Sequence, residues 1–124
     1  MSEKITIFGA SGFVGNNLVQ ELSKMAVEII ATDLARSSSA LGNNVKFIEA
    51  DILDEKNVNE LVEGADIVIH LATSNLRTSL NNPKRNIKIN VQGTLNILEA
   101  CRISNVKKII YSSASSVYGI PQYL

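Results

Sequence analysis

Three glycines at intervals of three residues, Gly9, Gly12 and Gly15, connect two segments of different hydrophobic period. Residues 4–8 (KITIF) form a short β-branched run, which predicts a buried strand, and the apolar spacing becomes helical from Phe13. In such a strand–turn–helix, the first glycine permits a sharp turn, the second admits a pyrophosphate close to the backbone, and the third lets the helix pack on the sheet. The N–H groups of the helix N-terminus then face the phosphates. A glycine-rich turn that serves packing alone is the alternative.

Short apolar strands and helical patterns alternate along the rest of the chain. Helices are predicted from Phe13, between an N-cap at Asp54 and a stop at Gly64, and from Pro83, whereas the links at 37–44 and 73–82 are polar and lack a helical period. Because parallel strands need right-handed crossovers, this order predicts an α/β fold, a Rossmann-type doubly wound parallel sheet with strand order 3-2-1-4-5. We expect one domain over residues 1–124. The predicted strands are residues 4–8, 27–32, 45–50, 66–72 and 106–111.

The helix that begins at Pro83 carries an apolar stripe, which we expect to face the sheet. The last residue of the stripe, Cys101, is the single cysteine of the sequence, and its apolar helical surroundings predict a buried structural thiol. A lone cysteine without a disulfide partner favours a reducing, cytoplasmic setting. The stripe consists of Ile87, Val91, Leu95, Leu98 and Cys101.

The charge balance excludes several classes of partner. Twelve basic residues match twelve acidic ones, so no net field favours nucleic acid or an anionic membrane. No apolar stretch of the sequence is long enough to span a bilayer. We also expect no metal site.

Asp33 follows the second predicted strand, eighteen positions after Gly15. At the tip of that strand a carboxylate can accept hydrogen bonds from both ribose hydroxyls of an adenosine, and its charge would repel a 2′-phosphate. This placement favours NAD over NADP. Two alternatives are a turn-forming aspartate and a role for the nearby Arg36, which could accept a 2′-phosphate.

Several motifs follow one another in a characteristic order along the chain. They are residues 9–15 (GASGFVG), Asp33, Asp51-Ile52, 66–72 (DIVIHLA), 90–100 (NVQGTLNILEA) and 106–119 (VKKIIYSSASSVYG). With these motifs the chain resembles the N-terminal part of an extended short-chain dehydrogenase/reductase, of the NAD-dependent sugar-nucleotide epimerase/dehydratase type, and the resemblance covers essentially all 124 residues. In the intact enzyme it implies a hydride that passes between a sugar carbon and NAD.

The resemblance implies roles for residues at the adenosine end of the cofactor. Phe13 and Val14 would offer backbone N–H groups to the pyrophosphate, and Asp33 would hold the adenosine ribose. Asp51 would bond to the adenine amino group, with Ile52 packed on the ring. A helix-capping role for Asp51 is equally compatible with the sequence.

Further residues come from the fourth strand and the long helix. Leu71, Ala72 and Thr73 would pass beneath the central ribose and phosphate. Asn90 resembles the asparagine of the family that braces neighbouring loops. His70 could serve as an acid or base, but it alternates inward within an apolar strand, so we expect a packed structural histidine.

The catalytic residues are where the sequence departs from the family. The family places a Ser or Thr four residues before the tyrosine of Val-Tyr-Gly, and here that position, four before Tyr118, is Ala114. Ser113 and Ser115 flank it, and either could supply the hydroxyl. The Tyr-x-x-x-Lys pair of the family, expected beyond the serine turn, is absent from these 124 residues. We therefore expect a truncated chain, inactive alone, with the substrate domain absent.

The partner expected for the intact enzyme is a nucleotide-sugar. The strand at 106–111 is expected to be an exposed sheet edge, so we also expect a homodimer. A stand-alone NAD-binding module or redox-sensing regulator, and a non-binding remnant used for association, are the alternative functions.

Overall fold

The computed structural model describes residues 2–120 and 122. The strands are β1 (Glu3–Phe8), β2 (Val27–Asp33), β3 (Val45–Glu49), β4 (Ile67–His70) and β5 (Lys108–Tyr111). The helices are α1 (Phe13–Leu22), α2 (Glu55–Val62), α3 (Leu76–Asn81), α4 (Pro83–Ile87) and α5 (Thr94–Ile103). A π-helical turn (Lys88–Gly93) joins α4 to α5, and a 3₁₀ turn (Ser115–Tyr118) follows β5.

The five strands form one parallel sheet in the order β3-β2-β1-β4-β5, which confirms the predicted fold class and strand order. Phe8, at the end of β1, pairs with Thr32 on one side and with His70 on the other. The chain therefore reverses its direction of winding between β1 and β4. In open parallel sheets the crevice beyond the carboxyl ends at such a point is where ligands bind.

Apolar side chains cover both faces of the sheet. One face packs against α2 and α5, where Val58, Val62 and Ile97 are fully buried, and the other packs against α1 around Ile7 and Val19. No helix in the described part of the chain is both long and apolar enough to cross a membrane.

Cys101 is buried in the cluster between α5 and the sheet, which confirms the predicted structural thiol. Burial raises the pKa of the Cys101 thiol to about 11, because the thiolate would lose its hydration there. The sulfur is therefore protonated near neutral pH.

The prediction that the apolar stripe of the long helix faces the sheet is wrong for four of its five residues. Ile87, Val91, Leu95 and Leu98 are exposed, with 44 to 61% of the surface of each residue accessible. The face that packs is the one that carries the small residues, and these let the helix approach α2 and the sheet closely. The residues that face inward are Gly93, Asn96, Ile97, Ala100 and Cys101.

The polar link at 73–82 contains a helix that periodicity did not predict. Asn75 caps α3 by accepting from the Thr78 N–H, and Asn82 caps α4 in the same way through the Arg85 N–H. Asparagine is a preferred N-cap residue. The positions of these two asparagines therefore indicate where the helices begin, although the apolar spacing does not. Pro83 occupies the first turn of α4, as predicted.

Candidate functional site

A cleft of about 440 Å³ opens at the carboxyl ends of β1, β2 and β4. All but one of the residues predicted to hold a cofactor line it, and the exception, Gly15, lies behind the turn. The predicted residues that line the cleft are Gly9, Gly12, Phe13, Val14, Asp33, Asp51, Ile52, Leu71, Ala72 and Thr73.

The three glycines of the turn have two kinds of surroundings. Gly9 has φ +81°, and a Cβ there would lie 2.6 Å from the Ala72 nitrogen. A Cβ on Gly15 would overlap the Gly9 carbonyl oxygen, so both positions exclude side chains for reasons of packing. At Gly12 the nearest atom to an added Cβ is the Gly9 oxygen at 3.4 Å, so the space before Gly12 opens into the cleft.

The N-terminus of α1 borders this open space, since Gly12, Phe13 and Val14 line the cleft. No side chain caps α1 at Gly12, and no acidic residue lies in its first turn. Free N–H groups and the positive end of the helix dipole favour an anion at this place.

Two backbone N–H groups hold the Asp33 carboxylate at the end of β2. Its Oδ2 accepts from the Ser11 N–H at 3.0 Å, and its Oδ1 accepts from the Leu34 N–H at 2.8 Å. Each carboxylate oxygen keeps a further lone pair for a ligand hydroxyl. Arg36 does not line the cleft.

Asp51 and Ile52 follow β3 and line the cleft beyond the end of that strand. The Asp51 Oδ1 accepts from the Leu53 N–H at 2.9 Å, which closes a local turn. The cap of α2 is Asp54, as predicted, so helix capping does not account for Asp51. Ile52 is 9% exposed and packs into the core behind the cleft.

The strand end below the cleft is braced from the long helix. The Leu71 N–H continues the ladder to the Phe8 carbonyl, and Thr73 Oγ1 donates to Asn90 Oδ1 at 3.1 Å. Asn90 also exchanges two hydrogen bonds with the backbone of Ser74. The predicted bracing role of Asn90 is therefore confirmed.

His70 is buried, with 2% of its surface exposed, and it does not line the cleft. Its Nε2 lies 2.8 Å from the Thr94 hydroxyl, and its Nδ1 has no partner among the described residues. Burial lowers the pKa of the imidazole, which keeps the ring neutral at pH 7. The prediction of a packed structural histidine is confirmed.

The serine-rich turn lies at the edge of the cleft. Ser112 lines it, whereas Ser113 and Ser115 are exposed and do not. Tyr118 is exposed on the 3₁₀ turn.

Sequence reasoning missed the contribution of the helical connection after β4. Arg85 on α4 and Ile89 on the π-helical turn reach the cleft, four residues apart. The spacing of four residues between Arg85 and Ile89 indicates that both lie on one face of a helix. The strand ends that this face meets are distant in sequence, so the spacing alone did not predict a place in the cleft. Within residues 2–120 and 122, no three His, Cys, Asp or Glu side chains are grouped to hold a metal ion.

Comparison with known proteins agrees with this architecture. The model of the NAD dependent epimerase/dehydratase family matches residues 5–123. The chain belongs to this family, whose cofactor is NAD. The earlier resemblance to its N-terminal part is thereby confirmed.

Individual relatives carry different activities. The CDP-paratose 2-epimerase of Salmonella typhi is 38% identical over 134 residues, which cover 97% of this chain and 39% of that protein. The UDP-N-acetyl-alpha-D-glucosaminuronate decarboxylase of Bacillus cytotoxicus is 34% identical over 125 residues, with 96% and 39% covered. The crystal structure of UDP-glucose 4-epimerase from Brucella ovis in complex with NAD superposes with a TM-score of 0.87 at 29% identity, covering 99% and 39%. The chain thus spans about two-fifths of the length of these relatives.

Proposed function

We propose that this chain forms the NAD-binding part of an NAD-dependent sugar-nucleotide epimerase or dehydratase. The observation that carries the proposal is the cleft in which Gly12, the free N-terminus of α1 and Asp33 lie together. When bound, the nicotinamide would accept a hydride from a sugar carbon and return it. The NAD complex of the Brucella ovis epimerase supports the choice of cofactor.

Each proposed contact with the cofactor is made by a residue that lines the cleft. The backbone N–H groups of Phe13 and Val14 would bind the pyrophosphate, and Asp33 would accept from the adenosine ribose. Asp51 would accept from the adenine amino group. The remaining lining residues would pack against the ligand: Ile52 on the adenine ring, and Leu71, Ala72 and Thr73 beneath the central ribose and phosphate.

The substrate side of the proposal concerns the whole protein. We propose a nucleotide-sugar as substrate, in keeping with the names of the relatives. Ala114 occupies the position at which the family has a Ser or Thr, and it has no hydroxyl. We therefore propose that the hydroxyl of Ser113 or Ser115 would hydrogen-bond the reacting sugar hydroxyl. We place the protein in the cytoplasm, where a lone buried thiol such as Cys101 stays reduced.

We also propose that the chain forms a homodimer. Among the described residues no strand pairs with the outer edge of β5, and Ile109 and Ile110 of that strand are exposed. An unpaired edge of this kind offers N–H and C=O groups to a second copy. The net charge of zero adds no repulsion between copies.

Isothermal titration with NAD tests the central proposal, with two glycine variants as a matched pair. Gly12→Val should weaken NAD binding by more than about tenfold and should lower the thermal midpoint less than Gly15→Ala does, because an added Cβ makes only ordinary contact at Gly12 but stands in the approach to the backbone. Gly15→Ala should lower the thermal midpoint, because its Cβ overlaps Gly9. Absence of NAD binding by the wild-type chain, or unchanged binding by Gly12→Val, would contradict the proposal.

A further inference from the structure

We propose that Gly93 and Asn96 are positioning residues for the adenine-binding wall of the cleft. Neither residue lines the cleft, and both act through Ile52, which does. The inference rests on the proposed NAD-binding function and extends it to the choice of base.

Gly93, at the end of the π-helical turn, makes room for the Ile52 side chain. A Cβ on Gly93 would overlap Ile52 Cδ1 and lie 2.6 Å from Ile52 Cγ1. Both atoms belong to the flexible end of the isoleucine, so an added methyl group would move that side chain rather than the backbone. Because Ile52 stands between the helix and the cleft, its displacement would change the surface offered to a base.

Asn96, one turn further along, holds the backbone of the same residue. The residue is buried, at 7% exposed, and its Nδ2 donates to the Ile52 carbonyl at 3.0 Å. Its Oδ1 accepts from Gln92 Nε2 at 2.8 Å, which fixes the orientation of the amide. A buried amide with both ends satisfied specifies one position for the loop that it holds.

The two contacts together set how Asp51 is presented. The Asp51 carboxylate is tied to the Leu53 N–H, one residue beyond Ile52, so the turn at 51–53 moves as a unit. Asp51 Oδ2 has no hydrogen-bond partner among the described residues, and Asp51 lines the cleft. A fixed acceptor there would favour adenine, which has a 6-amino donor, over hypoxanthine, which has an oxygen in its place.

A double-mutant cycle between Gly93 and Ile52 tests the first contact. Gly93→Ala should raise the Kd for NAD by about tenfold in the wild-type background. In the Ile52→Ala background the same change should raise the Kd by less than about twofold, because the overlapping atoms are gone. An equal loss in both backgrounds would show that Gly93 does not act through Ile52 and would overturn this part.

The second contact is tested by base discrimination, measured as the ratio of the Kd for the hypoxanthine analogue of NAD to the Kd for NAD. Asn96→Asp keeps the acceptor for Gln92 and removes the donor to the Ile52 carbonyl, so this ratio should fall toward one. Val19→Ala, on the other face of the sheet, is the matched control: a general loss of stability there should leave the ratio unchanged.

The outcomes separate the inference from the function on which it rests. Failure of the wild-type chain to bind NAD would overturn both. Binding of NAD by the wild-type chain, with an unchanged ratio in Asn96→Asp and an unchanged Kd in Gly93→Ala, would overturn the positioning role and leave the proposed function intact.

Discussion

Asn90 and Ser74 are joined by a reciprocal pair of hydrogen bonds that ties the long helix to the turn after β4. The Ser74 N–H donates to Asn90 Oδ1 at 2.7 Å, and Asn90 Nδ2 donates to the Ser74 carbonyl at 3.0 Å. The Asn90 side chain thus pairs with both backbone groups of Ser74, as a neighbouring strand pairs with backbone groups within the sheet. It stands on the π-helical turn, and turns of this kind occur often at functional sites.

Asn90→Ala should destabilise the fold by about 1–3 kcal/mol, because the partly buried Ser74 N–H loses its partner. The free energy of unfolding from denaturant titration measures this loss. Asn17→Ala is the control, since its exposed side chain makes a single bond within α1. Equal effects of the two substitutions would contradict the bracing role.

Cofactor choice should depend on Asp33. We expect NAD to bind at least about tenfold more tightly than NADP, which corresponds to 1.4 kcal/mol, because the carboxylate repels a 2′-phosphate. Asp33→Asn should lower the ratio of the Kd for NADP to the Kd for NAD in calorimetric titrations. Glu28→Gln removes the same charge at the opposite end of β2 and should leave the ratio unchanged. Equal affinities in the wild-type chain would point to Arg36 instead.

Stability should fall in mild acid because of His70. Its folded pKa is lowered by burial, so the unfolded chain binds the proton more tightly, and the stability present above pH 6.5 is lost as the pH falls toward the folded value. The loss cannot exceed about 1.4 kcal/mol per pH unit. His70 is the single histidine of the sequence. The free energy of unfolding of His70→Gln should therefore vary less between about pH 7 and pH 5.5 than that of the wild-type chain. An equal slope in both proteins would assign the effect to carboxylates.

Self-association should be visible in sedimentation velocity at tens of micromolar protein, as a species larger than the monomer. Ile110→Lys should weaken it, because a charge on β5 disfavours edge pairing. Leu98→Lys tests the exposed stripe of the long helix in the same way. A dimer that dissociates with Leu98→Lys but not with Ile110→Lys would move the interface to the helix, and a monomer throughout would contradict the dimer.

The candidate site was largely predictable from the sequence. The glycine turn, Asp33 and the residues after β3 and β4 each stand at a strand end, and the ends of parallel strands meet at one edge of a sheet. Arg85 and Ile89 were missed because their place in the cleft depends on how the helical connection returns over that edge. The helix at Leu76–Asn81 was missed because its N-cap asparagine is a weaker signal than apolar periodicity.

The sequence by itself determined the alternation of strands and helices, the strand order and the turn that opens into the cleft, since each rests on local spacing and on the handedness of crossovers. Tertiary structure alone decided which side of the long helix is buried. That helix has apolar residues on two sides, and the side with Gly93 and Ala100 packs because small residues allow close contact. The same packing brings Gly93 against Ile52, two residues 41 positions apart in sequence, and no local pattern encodes that meeting.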